Sequence, residues 1–309
     1  MLKSLFTILV IVGIIPISNA QILSYFTQYE TNNALFFPAQ SAQITQKQIN
    51  ITSRRNTIQE SILNQQLFSF QMPFNKNRSG LNFNLYSNSK NNEVYNSINV
   101  GYAHKVNFYG GYLSLATAYL LQNTYLSQLL IKDANDENAP ANGFSNWKSD
   151  INISLMYKSK KMQLALATEN ILKHNENIFY YNPQLNYYFS AIYKIRMAEK
   201  LTISPFLFAR INGNNNNVTD AMLRLQYNQK INLGIGFRTN QSLLFTTDIL
   251  LNSLIKKIPN TLVFNYAYDN SLSKQSYAAH EFGLRYLFGN PFSSSKVNLQ
   301  PVQYSPIFF

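Results

Sequence analysis

The chain has 309 residues, with 26 Lys and Arg against 14 Asp and Glu, and it contains no cysteine. The missing cysteine excludes a disulfide framework, a zinc-thiolate site and a cysteine nucleophile. Hydrophobic residues make up 46% of the chain, which argues against disorder. Charged residues make up only 13%, against roughly 25% in soluble domains. Such a composition is typical of strands that face lipid on one side and polar groups on the other.

The first twenty residues have the pattern of a secretory signal peptide. Lys3 is basic, residues 5–17 are almost wholly apolar, and Ser18-Asn19-Ala20 resembles a cleavage site. A transmembrane anchor is the alternative, but a helical span needs about 20 apolar residues. No later segment has 18 consecutive apolar residues, which excludes a helical inner-membrane protein. We therefore predict a signal peptide over 1–20 and export of the mature chain.

Residues 21–42 precede the first predicted strand and form a separate unit, which we predict to be a periplasmic or plug-like segment. The segment is rich in aromatic side chains, namely Tyr25, Phe26, Tyr29, Phe36 and Phe37. These side chains could dock a partner protein or plug the lumen of a barrel, and the sequence leaves both interpretations open. The candidate partner-binding residues of this segment are Tyr25, Phe26, Gln28 and Tyr29.

From this segment to residue 288, apolar and polar residues alternate with a period of two. Ile151 and Ile153, for example, alternate with Asn152 and Ser154. No stretch of similar length has the 3.6-residue apolar period of a helix. About fourteen strands are predicted, near residues 43–54, 58–70, 79–88, 93–105, 110–123, 149–158, 161–169, 182–195, 200–211, 219–228, 231–239, 242–250, 259–269 and 277–288.

The number of strands and the spacing between them indicate a closed barrel. Lipid offers no hydrogen-bond partners, so a spanning sheet must close on itself, and bacterial barrels have an even number of strands. Long gaps such as 124–148 alternate with tight turns such as Ser159-Lys160, which fits external loops and periplasmic turns. We therefore predict an all-β transmembrane antiparallel barrel over 43–288 in the outer membrane, with a periplasmic tail over 289–309.

Several charged residues lie on the polar faces of the predicted strands and should face the lumen. They are Arg224, Arg238, Asp248, Asp269, Glu281 and Arg285. Such residues can line a pore and set its ion selectivity. Alternatively, they pair across the lumen as a structural network. We favour the network, because buried charges need partners.

The sequence offers little that indicates catalysis. Its three histidines form no H-x-x-x-H or H-E-x-x-H pattern, and no G-x-S-x-G or Walker A motif is present. We therefore expect no enzyme activity and no cofactor. Asp133, Asn135 and Asp136 lie in an acidic loop whose oxygens could bind calcium, but the loop lacks the full EF-hand pattern, which favours a solvated loop. The loop is also a candidate partner-binding site.

Segments spread over nearly the whole mature chain resemble one family. The opening Phe26-Thr27-Gln28-Tyr29, Asn32 and Phe37-Pro38-Ala39, the loop Ile131–Asp136 with the following Leu164–Leu172, and the closing His280-Glu281 resemble motifs of the PorP/SprF family. Its members are outer-membrane proteins of the type IX secretion and gliding apparatus of the Bacteroidota. The chain resembles a divergent member, because Arg54-Arg55-Asn56 lacks the Trp that ends the corresponding family motif.

The resemblance implies a non-enzymatic barrel that serves protein secretion and gliding motility. Its expected partners are type IX secretion or gliding subunits, or a secreted surface adhesin. The basic balance of the chain suggests contact with anionic lipid or lipopolysaccharide, although a merely solvated basic surface is an open alternative, and nucleic acid is not expected in an exported protein. Alternatives from other classes are a channel or transporter for a small solute and a barrel enzyme.

Overall fold

The computed structural model describes residues 26–58, 61–90, 93–126, 144–172, 185–212, 217–239, 242–253, 261–272 and 277–289. A short helix, α1 (Asn33–Phe36), is followed by a 3₁₀ helix at Pro38–Ala42, and a second 3₁₀ turn lies at Leu251–Ser253. No helix in these ranges is long and apolar enough to cross a membrane. Most of the remaining described residues form β-strands.

The strands in chain order are β1 (Lys47–Ile58), β2 (Ser61–Phe74), β3 (Ser79–Lys90), β4 (Glu93–Phe108), β5 (Gly111–Leu126), β6 (Phe144–Lys158), β7 (Met162–Glu169), β8 (Asn186–Tyr193), β9 (Ile195–Ala198), β10 (Leu201–Asn212), β11 (Val218–Tyr227), β12 (Ile231–Arg238), β13 (Ser242–Leu250), β14 (Thr261–Ser271) and β15 (Tyr277–Phe288). Successive strands pair antiparallel, and β1 also pairs with β15, which closes the sheet into a barrel. Because β8 and β9 both pair with β10, they are two parts of one strand, interrupted at Lys194. The described residues therefore form the predicted barrel of fourteen antiparallel strands.

Side chains alternate between the lumen and the outer face of the barrel. On β6, Asp150, Asn152 and Ser154 are at most 1% exposed, whereas Ile153 is 45% exposed and Leu155 is 38% exposed. The outer face thus carries the apolar band that a bilayer requires, and the lumen face is polar. Because the lumen face is also buried, something within the chain must fill the barrel.

Most strands lie within a few residues of their predicted positions, and the differences have local causes. The first strand was expected to begin at residue 43 but begins at Lys47, because the 3₁₀ helix at Pro38–Ala42 and a turn occupy the preceding residues. The sixth was expected from residue 149 but begins at Phe144, which pairs with β5 in continuous register. The expected connection 71–78 shrinks to a tight turn, because β2 continues to Phe74.

The end of the barrel that carries the connection between β2 and β3 has mostly short turns, and we call it the turn end. The opposite end, which has both short and long connections, is the loop end. The turn between β2 and β3 has three consecutive positive φ angles, at Asn75, Lys76 and Asn77. Asn is among the residues that tolerate this conformation best. The turn between β11 and β12 repeats this chemistry with positive φ at Asn228 and Gln229. Local sequence therefore explains why these connections are tight.

Candidate functional site

The lumen of the barrel is occupied by residues 26–46, which we call the plug. Its aromatic side chains are almost completely buried, with Phe26 1% exposed, Tyr29 2% exposed and Phe37 1% exposed. The plug hydrogen-bonds to lumen-facing atoms of β1, β3, β5, β6, β11, β14 and β15. It thus contacts strands around the whole barrel rather than lying along one side.

The first part of the plug is held by a buried carboxylate of β15. The backbone N–H groups of Thr27 and Gln28 donate to the two oxygens of Glu281, at 2.6 and 3.1 Å. Arg54 of β1 pairs with the same carboxylate at 3.4 Å and also donates to the Thr27 hydroxyl at 2.8 Å. Glu281 is 0% exposed. Burial removes the water that would otherwise hydrogen-bond to this carboxylate, and the N–H groups of the plug backbone replace those hydrogen bonds.

Glu281 belongs to a chain of alternating charges across the lumen. Arg54 pairs with Asp269 at 2.8 Å, and Arg238 pairs with both Asp269 and Asp220. The Arg238–Asp220 contact is bidentate, with two N···O distances of 2.8 Å. Three carboxylates thus meet two guanidinium groups, all at most 3% exposed. The network has one formal negative charge in excess, and the N–H groups of the plug stabilise it.

Tyr29 connects the plug to the opposite end of this network. Its hydroxyl donates to Asp220 at 2.6 Å and accepts from Arg238 at 3.1 Å. Burial raises the pKa of Tyr29 well above its usual value, and the nearby Arg238 guanidinium offsets only part of that rise. The hydroxyl therefore stays protonated and can act as a donor. Its ring stacks on Phe208 of β10 with centroids 4.0 Å apart.

The second part of the plug meets a neutral wall. Amide side chains of Asn84 and Asn152 donate to the carbonyl oxygens of Ala34 and Phe36, at 3.3 and 3.2 Å. Farther along, the Ala39 backbone N–H donates to the Ser154 hydroxyl at 2.9 Å. The neighbouring strand adds Ser114, whose hydroxyl donates to the Ala39 carbonyl at 3.1 Å and accepts from the Gln43 side chain at 2.9 Å.

Close packing fixes this second part as well as hydrogen bonding. A Cβ atom built on Gly80 of β3 would lie only 2.1 Å from the Ser41 carbonyl oxygen. Phe36 lies between Tyr188 and Phe208, with both ring centroids 5.4 Å away. The glycine permits the backbone of the plug to approach the wall, and the rings fill the remaining space.

The structure brings together some of the residues singled out in the sequence. Arg238, Asp269 and Glu281 belong to the buried network, Arg224 pairs with Glu30 of the plug at 2.5 Å, and Asp248 accepts from Asn232 and Asn265. Arg285 lies on the lumen face of β15, two residues beyond Gly283, near the turn end. Tyr25 and the acidic loop with Asp133, Asn135 and Asp136 lie outside the described residues.

The side chains of Phe26, Gln28 and Tyr29 contact the inner face of the barrel wall. Gln28 donates to the Tyr266 carbonyl oxygen of β14 at 2.8 Å. Of the two interpretations left open by the sequence, this arrangement corresponds to the plug. Direct partner binding by these side chains stays a prediction, because it requires the plug to leave the lumen.

Two members of the network were absent from the sequence-based set. Arg54 lies in a strand so polar that its lumen face is hard to distinguish, and Asp220 is the third residue of β11. Strand alternation could have found Asp220, because it shares a face with Arg224. No group of three or more His, Asp or Glu residues in the described ranges is arranged to hold a metal ion.

These features define a class of protein: an outer-membrane type β-barrel whose lumen is filled by a segment from its own N-terminal part. The type IX secretion system membrane protein family PorP/SprF matches residues 18–286. The chain therefore belongs to this family, which confirms the resemblance seen in its motifs. The opening motif at Thr27 and Gln28, the motif at Arg54 and the closing motif at Glu281 meet in one buried site. A search of curated proteins finds no match.

Solved structures with a similar fold are outer-membrane proteins. The toluene transporter TodX of Pseudomonas putida has a TM-score of 0.50 and 8% identity, covering 85% of this chain and 94% of TodX. Omp33 of Acinetobacter baumannii has a TM-score of 0.47 and 7% identity, covering 79% of this chain and 99% of Omp33. At such low identity, the likeness to TodX shows the fold alone.

Proposed function

We propose that the protein is a non-enzymatic component of the type IX secretion and gliding machinery that docks other proteins and does not conduct solutes. Membership of the PorP/SprF family supports a role of the chain in type IX secretion. The observation that favours docking over transport is the filled lumen, where plug side chains such as Phe26 and Phe37 are 1% exposed. A solute path through the barrel would require this segment to move.

The docking surfaces in this proposal are the connections at the two ends of the barrel. Loops at the loop end, including the one with Asp133, Asn135 and Asp136, would hold a secreted surface adhesin. Turns at the turn end would contact secretion or gliding subunits in the periplasm. The plug supports both surfaces indirectly, because it holds opposite walls of the barrel in fixed positions.

Affinity purification from native outer membranes tests this proposal. The tagged chain is extracted in mild detergent after chemical crosslinking, and co-purifying proteins are identified by mass spectrometry. A tagged outer-membrane barrel from an unrelated family serves as the control. We expect type IX subunits or one large secreted surface protein with this chain only. Recovery of the barrel alone, together with normal secretion in a deletion strain, would contradict the docking role.

A channel for a small solute is the alternative, and TodX, described as a toluene transporter, provides a precedent for the fold. Planar-bilayer recordings separate the two functions. A plugged docking protein gives no regular conductance steps, whereas a channel gives steps of uniform size. N-terminal sequencing of the purified chain would also test the proposed signal peptide, since cleavage after Ala20 leaves Gln21 as the first residue.

A further inference from the structure

The lumen has a second charged region, at the turn end, which the buried network does not include. Five basic residues occupy lumen-facing positions there: Lys105, Lys158, Lys194, Arg224 and Arg285. Their exposure is graded, since Arg224 is 7% exposed and Lys105 is 8% exposed, whereas Lys158 is half-buried and Lys194 is exposed. We call this set the basic mouth.

The described residues provide too few carboxylates to neutralise the basic mouth. Glu30 pairs with Arg224 at 2.5 Å. Asp248 of β13 accepts hydrogen bonds from the amides of Asn232 and Asn265, at 3.3 and 2.7 Å. These are the two carboxylates among the described lumen residues at this end, against five cations. Buried guanidinium nitrogens of Arg224 and Arg285 also lack a hydrogen-bond acceptor among the described residues.

The cations of the basic mouth lie close enough together to act jointly on Glu30. The location of Glu30 inside the mouth removes part of its surrounding water, which raises its pKa, but Arg224, Lys194, Arg285 and Lys158 lower it by more. The net effect places the pKa of Glu30 below its usual value. Lys158 also lies close enough to Lys105 for the two charges to repel each other. A single carboxylate of the plug is thus surrounded by an excess of positive charge.

The turns around the mouth extend the same charge outwards. Those between β2 and β3, β6 and β7, β9 and β10, and β11 and β12 carry Lys76, Arg78, Lys160, Lys161, Lys200 and Lys230, against the single acidic residue Glu199. A positively charged surface therefore runs from the recessed Arg224 to the exposed turns. Such a graded field attracts and orients a partner of opposite charge.

We propose that the basic mouth is a docking site for an acidic segment of a partner protein. A polypeptide rich in Asp and Glu can follow the field from the turns into the recess, where several carboxylates can pair with several cations. Lipid headgroups meet the outer face of the barrel, whereas these side chains face the lumen. This inference deepens the proposed docking function, on which its biological meaning rests, by naming the chemistry of the partner.

Peptide binding to the purified full chain tests the inference directly. The probe is a fluorescein-labelled deca-glutamate peptide, followed by anisotropy in a neutral detergent at low and high salt, with deca-glutamine as the uncharged control. We expect deca-glutamate alone to bind, and high salt to weaken it. The double variant Lys158→Gln/Lys194→Gln should weaken binding about fivefold to tenfold, because two partly screened ion pairs are lost. Neither lysine contributes an ion pair to the buried network.

A matched control removes two charges elsewhere. Arg55→Gln/Lys90→Gln changes exposed cations near the loop end, so binding should not change. Equal loss in both double variants, or binding that is insensitive to salt, would overturn the proposal. Displacement of the peptide by glycerol phosphate at similar concentrations would also overturn it and show a small-anion or headgroup site. None of these results depends on co-purification of secretion subunits, so the inference and the docking function can fail separately.

Discussion

The two parts of the plug are held in the same lumen by different chemistry. Thr27 to Tyr29 contact charged side chains of β1, β11, β12 and β15. From Ala34 to Gln43, the plug meets amides, hydroxyls and rings of β3, β5, β6, β8 and β10. One part is fixed by buried ion pairs, and the other by packing and neutral hydrogen bonds.

This difference shows how each wall depends on the plug. Removing one member of a buried ion-pair network leaves an uncompensated charge, so the charged wall and its plug residues stabilise each other strongly. Neutral contacts are lost singly and at lower cost. We therefore expect any single substitution in the charged wall to disrupt the whole network. A substitution in the neutral wall should remove only the contacts of the side chain that is changed.

The largest effect is expected from Asp269→Ala. This change leaves the guanidinium groups of Arg54 and Arg238 without their shared partner, which should lower the free energy of unfolding by about 3–5 kcal/mol. Urea titration followed by the electrophoretic shift between folded and unfolded barrel measures it. The neighbouring Asn270→Ala, whose side chain is outside the network, should stay within about 0.5 kcal/mol. Similar losses in both variants would mean that the network does not hold the barrel together.

A smaller effect is expected from Gly80→Val, which places side-chain atoms where the Ser41 carbonyl oxygen lies. Overpacking of this kind should cost about 1–3 kcal/mol and shift the 3₁₀ helix of the plug. Gly283→Ala is a control for adding a side chain to a lumen glycine with room for it, because its Cβ would meet its nearest atoms at 3.4 Å. The same urea titration compares them, and a Gly80→Val chain as stable as the native one would argue against close contact between plug and β3.

Ser114→Ala should cost about 1–2 kcal/mol, because the Ala39 carbonyl and the Gln43 amide each lose a buried partner. Thr117→Ala changes an outward-facing residue of the same strand and serves as the control. Hydrogen exchange at the Ala39 to Gln43 amides should rise in Ser114→Ala only. Unchanged exchange there would show that the hydroxyl does not fix the plug.

The smallest effect concerns pH. Because the pKa of Glu30 is lowered in the folded chain, the Arg224–Glu30 pair stabilises the fold above the ordinary glutamate pKa of about 4.3. That stabilisation is lost as the pH falls through the lower folded pKa. Glu30→Gln should therefore flatten the pH dependence in the acid range, by less than about 1 kcal/mol, since the glutamate side chain is 42% exposed. An identical acid profile would contradict the pairing.

The strands could be predicted because their period-two pattern is local. On β6 and β12 the alternation can be read directly from neighbouring residues, and turn chemistry such as Asn75 to Asn77 marks where strands end. The same alternation predicts a lumen position for Arg238, Asp269 and Glu281, and in the structure all three belong to the buried network. The local pattern was thus sufficient to predict the barrel.

The position of the plug could not be predicted in this way. Residues 26–46 have no period, and their partners are distant in sequence: Thr27 and Glu281 are separated by 254 positions. Nothing local distinguishes an aromatic segment that fills a lumen from one that docks a partner. The family motifs at the two ends of the chain were visible, but their meeting in one hydrogen-bonded site requires the closed barrel.

Chemical labelling of a single lumen cysteine tests the filled barrel most directly. The chain has no cysteine, so Ser154→Cys creates one reactive thiol at a position that is 1% exposed. A membrane-impermeant maleimide is applied to outer-membrane vesicles opened to both faces, with Tyr109→Cys, at a turn position 88% exposed, as the accessible control. If the plug occupies the lumen, Ser154→Cys is labelled only after unfolding. Labelling of both variants at the same rate would contradict a filled lumen.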